Sequence, residues 1–91
     1  MKKTLRLVEV LWADAWTSSG WSDEDNEPGD NEPEMCRSIG MVMHDTKRGI
    51  TLASAISPSK SKIGFGHKAF VPRGMIVEVR EIEKIRVVLE E

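Results

Sequence analysis

Tyrosine is absent from this 91-residue chain, cysteine occurs once, at Cys36, and three tryptophans and two phenylalanines are its only aromatic residues. Each shortage excludes something. A lone cysteine cannot build an internal disulfide framework and fits a reducing compartment. No apolar run approaches the roughly 18 residues that a membrane helix needs. The start "MKKTLRLVEVLWADA" has the basic front of a secretory leader, but Arg6 and Glu9 interrupt its apolar stretch, so no leader is expected. A soluble protein of the cytoplasm, without a membrane partner, is the expectation. Basic charge is also short: the net charge is -2, which argues against a chain devoted to neutralising a phosphate backbone.

What charge there is lies unevenly. Residues 22–34 carry seven acids and no base, whereas residues 47–73 carry Lys47, Arg48, Lys60, Lys62, Lys68 and Arg73 and no acid. One face can therefore be basic although the total is not. The length makes one domain, 1–91, whose core has little to spare, so self-association would help it.

All three tryptophans stand in "WADAWTSSGW", directly before the polar run "SDEDNEPGDNEPE". Two Glu-Pro pairs, a Pro-Gly and dense acid forbid a regular strand or long helix there. Residues 13–34 therefore read as a long, acidic, partly mobile connection. Before it, "TLRLVEVLW" (4–12) is a strand whose apolar parity changes after Leu7, with a bulge expected at the change. Trp12 shares parity with Val8 and Val10 and belongs to the core.

After the connection, "CRSIGMVMHD" (36–45) alternates, with Ile39, Met41 and Met43 on one face and Gly40 placed to bend the strand. "DTKRG" is a tight turn into "ITLASAIS", completing a hairpin. "PSKSKIGFG" reads as a loop, "HKAFVP" as a short strand ended by Pro72, "RGM" as a turn and "IVEVREI" as a further strand. In the tail, Ile85, Val87 and Leu89 alternate, although a spacing of three from Ile76 to Ile85 also permits a helix. The density of Val and Ile favours a strand. Short strands, tight turns and a glycine-bent second strand suit a small barrel, closed or partly open.

Candidate chemistry sits in three places. Trp16 and Trp21 either plug an open barrel end and anchor the polar connection, or form a wall on which a base stacks, an interaction of roughly 1–3 kcal/mol. The segment "SPSKSKIGFGHK" offers Lys60, Lys62, His67 and Lys68 between Gly64 and Gly66, either as a solvated loop or as a flexible clamp on phosphate. Arg73, beside Pro72, presents a more rigidly held guanidinium. The acids at Asp23, Asp25, Glu27 and Glu34 imitate a calcium loop, but Pro28 stands where the loop needs glycine, so no metal is expected. His44 and Asp45 are adjacent and point to opposite faces of a strand. Cys36 has Arg37 as its basic neighbour and no histidine partner in sequence, and no metal-ligand spacing links it to His44 or His67. No enzyme and no cofactor are expected.

The order of these elements carries a resemblance. "SIGMVMHDTKRGITLASAIS", then a loop, then "FVPRGMIVEV" resembles the Sm-like small barrel over residues 36–82, and Arg73-Gly74 matches its Arg-Gly turn. Sm-like RNA binders carry an asparagine in the turn after the second strand, where this chain has Asp45-Thr46-Lys47-Arg48-Gly49. The resemblance thus implies an oligomeric barrel, with RNA as the disfavoured partner. The whole chain is also similar to small bacteriophage proteins with a "V-x-W-x-D" opening, a "G-W", an acidic loop, "S-x-G" and "I-P-R-x-x-I". Val10, Trp12, Asp14, Gly20-Trp21, Ser38, Gly40, Val71-Pro72-Arg73 and Ile76 match that layout. This similarity implies a counter-defence, host-takeover or regulatory role, acted out in the host cytoplasm.

Together these readings predict an all-β, five- to six-stranded Sm-like or SH3-like barrel with a long acidic loop after the first strand. Its expected work is non-enzymatic sequestration of a nucleotide-derived signal by a homo-oligomer. Trp16 or Trp21 would stack the base, Lys62, Lys68 and Arg73 would neutralise phosphate, and His67 would hydrogen-bond. The alternatives are an RNA-binding ring and an inhibitor that engages a host protein through the acidic loop.

Overall fold

Among the described residues, Val, Ile and Leu at two-residue spacing produce five strands, β1 (Lys2–Asp14), β2 (Glu34–Thr46), β3 (Gly49–Pro58), β4 (Ile63–Pro72) and β5 (Ile76–Val88), with a 3-10 helix, Arg73–Met75, before the last. This computed structural model describes residues 2–14 and 33–89; Trp16, Trp21 and the acids from Asp23 to Glu32 lie outside the described residues. The strands form one antiparallel sheet in the order β4-β3-β2-β1-β5. Among the described residues no helix is long and apolar enough to cross a membrane.

The sheet bends at Gly40. β2 pairs with β1 from Glu34 to Met41 and with β3 from Met41 to Thr46, so its two halves serve different neighbours. A Cβ at Gly40 would stand 3.0 Å from both the Ala53 carbonyl oxygen and the Leu52 Cβ; only glycine lets β3 come in this close. Met43 is left over where the register with β3 shifts, a bulge that adds to the bend. β3 and β5, separated by two strands in the sheet order, consequently approach each other.

The curl creates the core. Val8 and Val10 of β1, Ile50 and Leu52 of β3 and Val71 of β4 form one buried cluster, with Trp12, Val42, Ile76 and Val79 packed against it. Each fully buried aliphatic side chain contributes about 1.5–3 kcal/mol. Trp12 occupies its expected core position, and its indole N–H donates to Ser38 Oγ at 2.9 Å. On β2 the core side carries Gly40 and Val42, whereas Ile39 is 58% exposed.

Several sequence expectations change. The predicted loop over residues 58–66 shrinks to Ser59–Lys62, closed by a Ser59 N–H to Lys62 carbonyl bond of 3.0 Å. Ile63 and Phe65 already alternate on β4; Gly64 and Gly66, which read as loop, pair with Ser57 and Ala55. The two strands expected after Met75 are one. Its register with β1 shifts between Leu7 and Val8 and again between Leu11 and Trp12, leaving Ile82 and Val77 as extra residues. The bulge expected in β1 at the parity change is not there: β1 runs regularly against β2, and the additional residue at that point belongs to β5. "RGM" is a 3-10 helix rather than a simple turn. Among the described residues the sheet is not closed by hydrogen bonds into the expected barrel, since β4 and β5 are its two ends.

The close approach at Gly40 can be tested by overpacking it. Gly40→Ala is expected to cost about 1–3 kcal/mol, read as a lower midpoint in urea; an unchanged midpoint would show that β3 retreats without penalty.

Candidate functional site

The acid-free part of the sequence becomes the β3–β4 hairpin and the turns at its base. β2 leaves β3 after Ala53, so residues 54–67 continue as a two-stranded arm. Lys60 and Lys62 stand exposed at its tip and Lys68 is exposed partway along β4. Arg73 follows the far end of β4, which at 3.3 Å per residue lies about 30 Å from Lys62. Lys62, Lys68 and Arg73 therefore do not converge within one chain on a ligand the size of a nucleotide. They are strung along a hairpin.

His67 has φ 54°, inside the left-handed region that costs an L-residue roughly 1–2 kcal/mol. It sits between the pairs Ala55↔Gly66 and Ala53↔Lys68, at a break in an otherwise regular ladder. Strain at an exposed histidine flanked by Gly66 and Lys68 marks this as a place to look for function.

A residue that the sequence reading passed over stands beside Lys68. Phe70 is 54% exposed. It pairs with Thr51, and Lys68 pairs with Ala53, so by alternation Phe70 and Lys68 share one face of β4. Its ring lies against Gly49, where an added Cβ would come within 2.7 Å of Cζ and 2.9 Å of Cε1. The missing side chain at Gly49 seats the ring against backbone. Lys47 and Arg48 are exposed in the adjoining turn. The signal was present in the sequence: Val71 belongs to the core, so alternation turns Phe70 outward.

Arg73 is already engaged. Its Nη2 donates to Asp45 Oδ1 and to the Thr46 carbonyl, both at 2.5 Å, and its backbone N–H donates to the Arg48 carbonyl at 2.9 Å. Arg6 reaches Asp45 Oδ2 at 3.5 Å and Glu81 Oε1 at 3.2 Å. The Asp45 carboxylate thereby ties the 3-10 helix, β2 and β1, and Arg6 carries the link on to β5 through Glu81. Asp45, expected in the turn after the second strand, is instead a residue of β2 and pairs with Ile50 of β3.

Partial burial pushes the Cys36 thiol above its ordinary value, and the Asp14 and Glu34 carboxylates push it the same way; a protonated thiol is a poor nucleophile. Among the described residues no three His, Cys, Asp or Glu side chains cluster as metal ligands.

The Arg73 hydrogen bond, its charge and Arg6 hold the Asp45 carboxyl below its ordinary value of 3.8. A lowered folded-state value means stability that is present above the unfolded value and lost as pH falls through the folded one. Asp45→Asn is expected to cost up to about 1 kcal/mol at pH 7, because both partners are largely solvated. The gap from the parent should close as denaturation curves are taken to pH values below the ordinary carboxylate range; a gap independent of pH would exclude the ion pair as its source. Comparisons with known protein families, curated proteins and solved structures return no match to this chain.

Proposed function

We propose that this protein is a non-enzymatic, self-associating binding protein that holds a nucleotide-derived ligand, with the base stacked on Phe70 and phosphate met by Lys68. The observation that carries this reading is the exposed Phe70 ring beside an exposed lysine on a hairpin without acids. One aromatic platform and one adjacent cation make the smallest unit that recognises a nucleotide. His67 is the immediate neighbour of Lys68 on β4, so the alternation that sets Phe70 and Lys68 on one face does not bring it to them, and the stacking unit does not include it. Trp16 and Trp21 lie outside the described residues, and the site stands without them.

The wider setting belongs to the same proposal. A bent second strand, a five-strand order and a 3-10 helix before the last strand are consistent with an Sm-like or SH3-like small barrel. The layout from Val10 to Ile76 supports a bacteriophage accessory protein acting in the host cytoplasm. In that setting, holding a nucleotide-derived immune signal is counter-defence by sequestration and requires no catalysis.

A second reading is supported by one feature. Cationic side chains spaced from Lys62 to Arg73 over about 30 Å of hairpin suit a single RNA strand better than one nucleotide. The two readings differ in salt dependence, because each phosphate neutralised steepens the fall of affinity with salt.

Isothermal titration with mononucleotides, cyclic dinucleotides and a short single-stranded RNA separates them. For the small ligand, Phe70→Ala and Lys68→Ala are each expected to weaken binding about tenfold or more, with a shallow salt slope and no effect of Lys62→Ala. A steep slope together with a Lys62→Ala defect would establish the RNA reading. Binding untouched by Phe70→Ala and Lys68→Ala would remove this site from both.

A further inference from the structure

The outer face of β1 is not used by the site above. Directly opposed residues of antiparallel strands share a face. Glu9 and Leu11 therefore stand there with Ile39 and Arg37 of β2 on one side and Arg80 and Glu78 of β5 on the other.

Three observations meet on this face. β1 is apolar on both sides: Val8 and Val10 are fully buried inward, while Leu7 and Leu11 look outward and are half-buried. A strand apolar on both faces is normally covered on both. Next, Ile39 and Met35 are 58% and 50% exposed, beside a depression of about 270 Å³ lined by Glu9, Leu11, Arg37, Glu78 and Arg80. Apolar knobs and a hole to receive them are on one surface. Finally, the charges balance. Glu9, only 13% exposed, accepts from Arg37 at 2.9 Å and faces Arg80 at 3.4 Å, and both arginines are 64% exposed. With Glu78 the patch holds two acids and two bases.

We infer that this face is a two-fold interface with a second copy of the chain. An isologous contact sets a surface against itself, so a patch of one sign repels its copy and a balanced one does not. The row Arg37–Leu11–Glu78 crosses the sheet with opposite charges either side of an apolar residue. A two-fold axis along β1 through Leu11 sets Leu11 against its equivalent and Arg37 of each copy against Glu78 of the other. The two sheets then pack in the aligned manner of a sandwich. This assignment rests on the self-association proposed above but not on any ligand.

Sedimentation velocity over a concentration series, on the full chain without nucleotide, is the test. A dimer is expected. Ile39→Glu, with circular dichroism taken on the same sample to show that the strand pair tolerates a second carboxylate opposite Glu9, should raise the dissociation constant at least about tenfold. Glu78→Arg should weaken the dimer, and adding Arg37→Glu to it should restore association. A monomer at every concentration overturns both the interface and the self-association. An oligomer indifferent to Ile39→Glu and Glu78→Arg overturns this face alone. Neither result bears on whether Phe70 and Lys68 bind nucleotide.

Discussion

The missing side chain at Gly40 is the constraint on which the rest of the structure depends. β2 has to pair with β1 along its first half and with β3 along its second, and both partners must meet at the turnover point. There the Ala53 carbonyl and Leu52 side chain occupy the space a Cβ would need. Because β3 swings in at this point, Ile50 and Leu52 reach Val8 and Val10 and a single sheet encloses its own core. A flat sheet of the same strands would leave both faces half-exposed. The same turnover ends the β2–β3 ladder at Ala53 and so leaves the β3–β4 hairpin to continue as a basic arm.

The charged residues divide between holding this curl and facing outward. Asp45 gathers Arg73 and Arg6, and Arg6 also meets Glu81, so the 3-10 helix, β2, β1 and β5 are linked where the curl brings them together. No single pair in such an exposed set contributes much, but the four side chains form one chain, Arg73–Asp45–Arg6–Glu81, that runs from the 3-10 helix to β5. This assignment changes the meaning of Arg73. A guanidinium committed to Asp45 and a backbone carbonyl has fewer donors left for phosphate, which moves the weight of any anion binding to Lys68 and the turn lysine and arginine beside Gly49.

Much of the fold was legible because alternation is a direct consequence of pleating. Val8, Val10 and Trp12, then Ile50 and Leu52, announced the core by parity alone, and Gly40 announced the bend. What misled was local composition. Gly64 and Gly66 resemble loop residues, yet each simply has nothing bulky to pack beyond Ser57 and Ala55, and the ladder runs straight through them. Ile82 and Val77 break the parity of β5, so one bulged strand imitated two strands or a helix. The candidate site was less legible, since lysines close in sequence become distant once they lie along an extended hairpin, whereas Phe70 and Lys68 become neighbours through the two-residue repeat. Parity assigned to Ile39 and Met41 could not show which side of β2 would be covered, because β2 carries apolar residues on both.

The both-sided apolarity of β1 and β2 connects the two proposed surfaces. The depression over Leu11 is lined by residues of β1, β2 and β5, whereas Phe70 and Lys68 belong to β4. A dimer built on the outer face of β1 therefore uses no residue of the nucleotide site and gives each assembly two copies of it. For a free small ligand, two independent sites change capacity and leave affinity alone. For an RNA strand able to reach both hairpins, the second contact is intramolecular and raises avidity without any new interaction. Variants at Ile39 thus bear on ligand identity as well as assembly: loss of the dimer should weaken a long RNA far more than a single nucleotide. The physical difference is linkage between two sites, which only a polymer can exploit.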